Sequence, residues 1–132
     1  MTPAGTTNQS IGLAWGWESL TQGAPLSAPA EDASYQYQKV IILLTDGLNT
    51  QNRWTTDQAT MDARQTLLCN NIKAAGITLY TIQVNTGSDP TSTLLKQCAS
   101  DANKFFLLTS SNQIITTFES IGTSISQLHL AR

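Results

Sequence analysis

The chain has 132 residues, 40% of them apolar, which is enough for one compact domain with a real core and too short for two. Seven basic against nine acidic residues leave a net charge of -2, and no basic block stands ready to neutralise phosphates, so nucleic acid is excluded as a partner. The apolar runs fall far short of the ~18 residues of a spanning helix, and the opening MTPAGTTNQ has neither a basic n-region nor an apolar h-region, so no membrane segment or export signal is read here.

Residues 10–20 place Ile11, Leu13, Ala14, Trp17 and Leu20 at helical spacing, with Asn8 or Ser10 available as the cap. Gly12 and Gly16 each weaken such a helix by about 1 kcal/mol, so close packing against a neighbour is expected to have selected them. Trp15 and Trp17 read as core and rim packing. Residues 23–38, with Pro25 and Pro29 among small and polar residues, form a surface connection.

A strand follows at 39–44 and a polar loop after it. A helix over about 57–75 sets Met61, Leu68, Ile72 and Ala75 on one face, with Gly76 as its stop. The β-branched and aromatic stretch 76–85 is the second strand. Ser88-Asp89-Pro90 predicts a helix start, capped by Ser88 or Asp89 with Pro90 as first helical residue, running to about Ser100. A third strand spans 104–108. The last helix, 112–128, lines up Ile114, Ile115, Phe118, Ile121, Ile125 and Leu128 as one apolar stripe.

Strands alternating with helices, and no hairpin signal between them, predict an α/β fold in three layers, a parallel sheet flanked by helices. In open parallel sheets ligands gather beyond the carboxyl ends of the strands, where loops and helix N-termini converge. The run from Val40 to Leu44 ends there on Thr45-Asp46-Gly47. Asp46 then stands at the rim, Gly47 is read as letting the backbone turn sharply behind it, and Asn49 with its neighbours adds polar side chains. That set suits a hard cation or a polar ligand, while the plainer reading is a turn with a capping aspartate.

The two cysteines, Cys69 and Cys98, come with no CxxC or Cys/His cluster, and His129 is the one histidine, so zinc is not expected. They read as buried thiols in a reducing compartment and as a disulfide in an oxidising one.

Thr7-Asn8, in the Gly5-Thr6-Thr7-Asn8 loop ahead of a helix, taken together with ILLTDGLN resembles the von Willebrand factor A domain. There a loop threonine and a strand-terminal Thr-Asp-Gly aspartate face a metal-ion-dependent adhesion site. The succession GLAWGWESLT, KVIILLTDGLN, LCNNIKAAGITLYTIQV, LLKQCAS and FESIGTSISQLHLAR looks like the C-terminal portion of TadG-like proteins of Tad (Flp) pilus assembly, over essentially all of residues 1–132. The resemblance implies that Thr7 and Asp46 would hold Mg2+, with Asn8, Gly47 and Asn49 in the ligand loops and a partner protein's carboxylate completing the shell.

The sequence departs from the family at one point. No apolar strand ending in Asp-x-Ser-x-Ser occurs: Asp32-Ala33-Ser34 precedes a strand, and Asp89 to Thr93 reads as a helix start. The chain is therefore expected to be a partial, Rossmann-like A domain lacking the N-terminal strands, with an incomplete metal site that binds Mg2+ poorly or not at all.

The strand at 39–44 would pair with the missing first strand, so an open edge and a homodimer through it are expected. The resemblance further implies a periplasmic domain anchored to the inner membrane through upstream sequence, a disulfide between Cys69 and Cys98, and protein partners of pilus assembly. It implies a binding module and no enzyme. A small hydrolase or phosphatase using Asp46 is the competing class; a haloacid-dehalogenase-like nucleophile would fall at Leu44, and His129 is expected far from the strand tips. A purely structural domain without metal is the third reading.

Overall fold

The computed structural model describes residues 5–87 and 89–128, with the side chain of Leu128 outside that set. Eight segments of regular structure follow in order: α1 (Gln9–Glu18), β1 (Val40–Thr45), α2 (Gln58–Ala74), β2 (Thr78–Val84), α3 (Thr93–Cys98), a single 3-10 turn (Ala102–Lys104), β3 (Phe105–Leu108) and α4 (Asn112–Leu128). The strands form one parallel sheet in the order β1-β2-β3, with Val40 opposite Thr78 and Thr81 opposite Phe105.

Alternation of side chains along the strands sends two apolar sets to opposite faces. Ile41, Leu43 and Leu79 meet Leu13 of α1, Cys69 and Ile72 of α2, and Leu94, Leu95 and Cys98 of α3. On the other face Tyr80, Ile82 and Leu108 meet Ile121 of α4, with Ile114 and Ile125 packed alongside. Helix, sheet and helix are thus the three expected layers. Three helices cover one face, and α4 alone serves the other.

The helix ends follow their chemistry. Asn8 caps α1, its side chain accepting from Ser10 N at 3.1 Å, and Asp57 caps α2 by accepting from Thr60 N at 3.0 Å. Gly76, at φ 76°, terminates α2. Its N–H donates to Lys73 O at 3.0 Å and the N–H of Ile77 to Ile72 O at 3.2 Å, the paired bonds of a Schellman end.

Five local expectations need correction. The third helix starts at Thr93 on a Ser92 cap, not at Asp89-Pro90, and stops at Cys98. The amide of Gln83 holds the preceding segment extended, donating to Pro90 O at 3.1 Å and accepting from Ser92 N at 2.8 Å. Ser100 then bonds Leu79 through both its N–H and its hydroxyl, at 2.9 and 2.8 Å, drawing the chain onto the sheet.

The glycines of α1 are not packed close. A Cβ at Gly12 would meet nothing within 4 Å, and one at Gly16 only Ile41 Cγ2 at 3.9 Å, because Leu13 and Trp17 make the contact instead. Trp15 points outward, exposed. The apolar stripe of α4 is only half used: Ile121 is buried, but Ile115 is 67% exposed and Phe118 is exposed as well, while Thr117 lies inside. A three-strand sheet is narrower than the stripe. On α2, Ala75 is the C-cap and exposed, and the buried series is Met61, Gln65, Cys69 and Ile72.

Candidate docking rim

β1 hands over to the rim at Thr45. Its hydroxyl donates to Gly47 O at 3.1 Å and accepts from Gly47 N at 3.3 Å, so this side chain closes the turn. Gly47 does not supply the turn as expected. Gly5 and Gly76 are the positive-φ glycines among the described residues, and a Cβ at Gly47 would meet nothing within 4 Å.

The loop after β1 and the loop before α1 are stitched together. Thr7 N donates to Thr50 Oγ1 at 2.8 Å, and Thr50 N returns to Thr7 O at 3.0 Å. Gln9 N donates to Asn49 Oδ1 at 2.9 Å, and Gln9 Nε2 to Gly47 O at 2.8 Å. Thr7 and Asp46 are therefore carried on two adjoining loops at one rim of the sheet.

Beneath them lies a closed ring of amides. Asn49 Nδ2 donates to Gln65 Oε1 at 2.8 Å and to Asp62 Oδ1 at 2.9 Å, and Gln65 Nε2 donates to Gln9 Oε1 at 3.0 Å. All three amide residues are buried, so each bond is made where an unmet one would cost about 1–3 kcal/mol. Sequence reasoning passed over Gln9 and Gln65. The available signal was a glutamine sitting between Met61 and Cys69 on an otherwise apolar helical face.

The ring corrects one of the expected ligand-loop residues. Asn49 is 2% exposed with its amide bonded inward to Gln65 and Asp62, so it is not free to grip a ligand, while the Oδ1 of Asn8 caps α1. Thr7 and Asp46 differ from both. Among the described residues neither the Thr7 hydroxyl nor the Asp46 carboxylate has a hydrogen-bond partner, and Asp46 is exposed.

Mg2+ takes about six oxygens in octahedral array. Among the described residues no group of three His, Cys, Asp or Glu side chains converges, and the Asp62 carboxylate accepts from Asn49 Nδ2. The described donors at the rim do not make a complete site for the ion.

Away from the rim, Cys69 of α2 and Cys98 of α3 form a disulfide with Cα atoms 5.1 Å apart, joining two helices of the same face. His129 lies outside the described residues.

The von Willebrand factor type A domain matches residues 7–120, from the Thr7 loop into α4. The chain belongs to this family. Among solved structures, proximal thread matrix protein 1 from the mussel byssus superposes with a TM-score of 0.57 at 21% identity, over 92% of this chain and 25% of that one. That likeness is one of fold, and the chain spans about a quarter of the mussel protein's length. No curated protein matches.

Type A domains are protein-interaction and adhesion modules, generally without enzymatic activity, and some bind Mg2+. The disulfide marks this chain as extracytoplasmic. Among the described residues no helix is long and apolar enough to cross a membrane.

Proposed function

We propose that residues 1–132 are the C-terminal portion of a type A domain in a TadG-like protein, serving as a non-enzymatic docking module in Tad (Flp) pilus assembly. The setting is the periplasm, with the inner-membrane anchor in upstream sequence. The observation that supports this reading is the stitching of the Thr7 loop to the loop that follows Asp46, through Thr7–Thr50 bonds and a buried amide ring, with the Thr7 hydroxyl and the Asp46 carboxylate left without hydrogen-bond partners among the described residues.

Upstream strands would bring the remaining oxygen ligands, and Thr7 and Asp46 would then contribute to a Mg2+ site whose open position takes a carboxylate from an assembly partner. The test is Mg2+ titration by calorimetry of a version that includes the upstream strands. Binding that disappears in Asp46→Ala supports the reading. Binding that survives the substitution, or no binding in either protein, leaves a structural domain with vestigial metal positions.

The free edge of β1 supports the second half of the proposal, association through that edge. Lys39 O accepts from Thr78 N at 2.9 Å, so odd-numbered residues of this strand turn their backbone groups toward β2. Val40, Ile42 and Leu44 turn theirs to the unpaired side. Their side chains fall on the face that α4 serves, and Leu44 is 42% exposed. An apolar open edge of this kind pairs readily with another strand, here a second copy of the chain. Scattering or sizing that gives a monomer at all concentrations would remove the dimer.

A further inference from the structure

Next to the rim, an open groove of about 390 Å3 runs between Thr6, Asn8 and Ile11 on one wall and Gln51, Asn52 and Arg53 on the other. It continues past Arg53 into a second depression lined by Trp54. We propose that this groove docks an extended segment of a partner protein bearing a carboxylate beside an apolar side chain, with Arg53 taking the carboxylate and Trp54 and Ile11 the apolar neighbour. The proposal rests on the reading of the chain as a protein-binding module and names the chemistry of what is bound. The cation that receives the partner is then part of the chain itself.

Three observations support it. The groove walls are built in advance. Asn52 Oδ1 accepts from the N–H of Trp54 and of Thr55, each at 2.8 Å, and Asn52 N donates to Thr55 O at 2.9 Å, while the Thr7–Thr50 bonds tie this loop to the opposite wall. Such preorganisation removes ordering cost from binding.

The loop also displays costly residues. Trp54 on the loop is 76% exposed and Ile11 on α1 56%, apolar surface along the groove that a partner would cover. Trp and Arg are the residue types that most often dominate binding energy at protein interfaces.

The charge, finally, is of one sign. Arg53 lies over the Trp54 ring, its Cζ 5.8 Å from the centroid, and is itself exposed. Among the described residues Arg53 forms no ion pair, and no Asp or Glu lines either part of the groove. A planar fork of donors with no acceptor of its own is the geometry that takes a carboxylate in two parallel hydrogen bonds. The chain's net charge of -2 argues against a polyanion, which the molecule as a whole would repel.

The test is selection of a phage-displayed library of 12-residue peptides on the intact chain, followed by affinity measurement on Arg53→Glu and Trp54→Ala. Both positions are exposed, so circular dichroism and melting are expected to match the parent. Peptides with Asp or Glu within two residues of an aromatic or aliphatic side chain are expected. Their binding should fall at least tenfold on Arg53→Glu and return when the peptide acid is exchanged for Lys.

Enriched peptides that bind Arg53→Glu as well as the parent would overturn the groove while leaving the chain a binding module. No enrichment on any surface would overturn both readings. Binding of an oligothymidylate 12-mer that is lost in Arg53→Glu would also overturn the proposal, by assigning the groove to another class of ligand.

Discussion

The two faces of the sheet are built on different terms. On one, α1, α2 and α3 close over β1 and β2 with side chains such as Ile72, Leu79 and Leu95 fully buried, and a disulfide links two of the three helices. On the other, α4 covers Tyr80, Ile82 and Leu108, while Val40 and Ile42 stay half-buried and Leu44, Ile115 and Phe118 face solvent. One face is finished within the chain, and the other keeps apolar surface beside an unpaired strand edge. The first face holds most of the fully buried side chains, and the second leaves apolar side chains in water.

The contrast is sharpest in core truncation. Leu95→Ala should lose about 2–5 kcal/mol of unfolding free energy in urea titrations, as fully buried leucines do, whereas Ile115→Ala should stay within about 0.5 kcal/mol. Comparable losses at both positions would erase the distinction between the faces.

Opening the disulfide comes next. Cys69 and Cys98 are separated by 29 residues, a loop for which the entropic model gives about 3 kcal/mol. Reduction should lower the denaturation midpoint by that equivalent. The mass should also be unchanged by alkylation until reductant is added. Two alkylated thiols in the untreated protein would contradict the link.

A smaller loss is expected where the faces give way to the polar rim. Gln65→Leu removes two amide bonds and strands Asn49 and Gln9, for about 1–3 kcal/mol. The rim loops should loosen with it, seen as faster amide exchange at Gln9 and Thr50. A loss of stability without that change would mean the ring does not hold the two loops.

The smallest effect is acid dependence at the head of α2. Bonds from the Thr60 hydroxyl and then the Thr60 N–H hold the Asp57 carboxyl below its ordinary value. A carboxylate lowered in the folded state contributes in full above its unfolded pKa, near about 3.9, and that contribution disappears as pH falls through the folded one. Asp57→Asn should therefore lower stability slightly at neutral pH and flatten the acid limb, the two proteins converging as pH falls through the folded-state pKa, measured by melting between neutral pH and the acid transition.

Much of this was legible in the chain itself because it is written in local rules. Periodicity placed all three strands and four helices. Gly76 marked the end of α2, and Asn8 or Ser10 the start of α1, by the chemistry of caps, and the last helix spans the expected 112–128. What escaped was decided by tertiary contact. Asp89-Pro90 satisfies the rule for a helix start, yet the side chain of Gln83, at the end of β2, fastens that segment outside the helix. Ile115 and Phe118 fit the apolar stripe of α4, but exposure depends on how wide a sheet lies beneath.

At the rim, Thr7 and Asp46 were singled out by motif, and the stitching of residues 7–9 to residues 47–50 brings their loops together. Asn49 was misassigned because an asparagine in a polar loop gives no hint of whether it faces out to a ligand or, as here, in to Gln65. Nothing local marks Gln9 as its partner across 40 residues.

The open edge of β1 can be tested by amide hydrogen exchange along that one strand, in a concentration series. At high dilution Val40, Ile42 and Leu44 are expected to exchange far faster than Ile41 and Leu43, and to slow as concentration rises and a second copy pairs with the edge. Equal protection of all five at every concentration, or alternation that concentration never alters, would contradict an edge that awaits a partner.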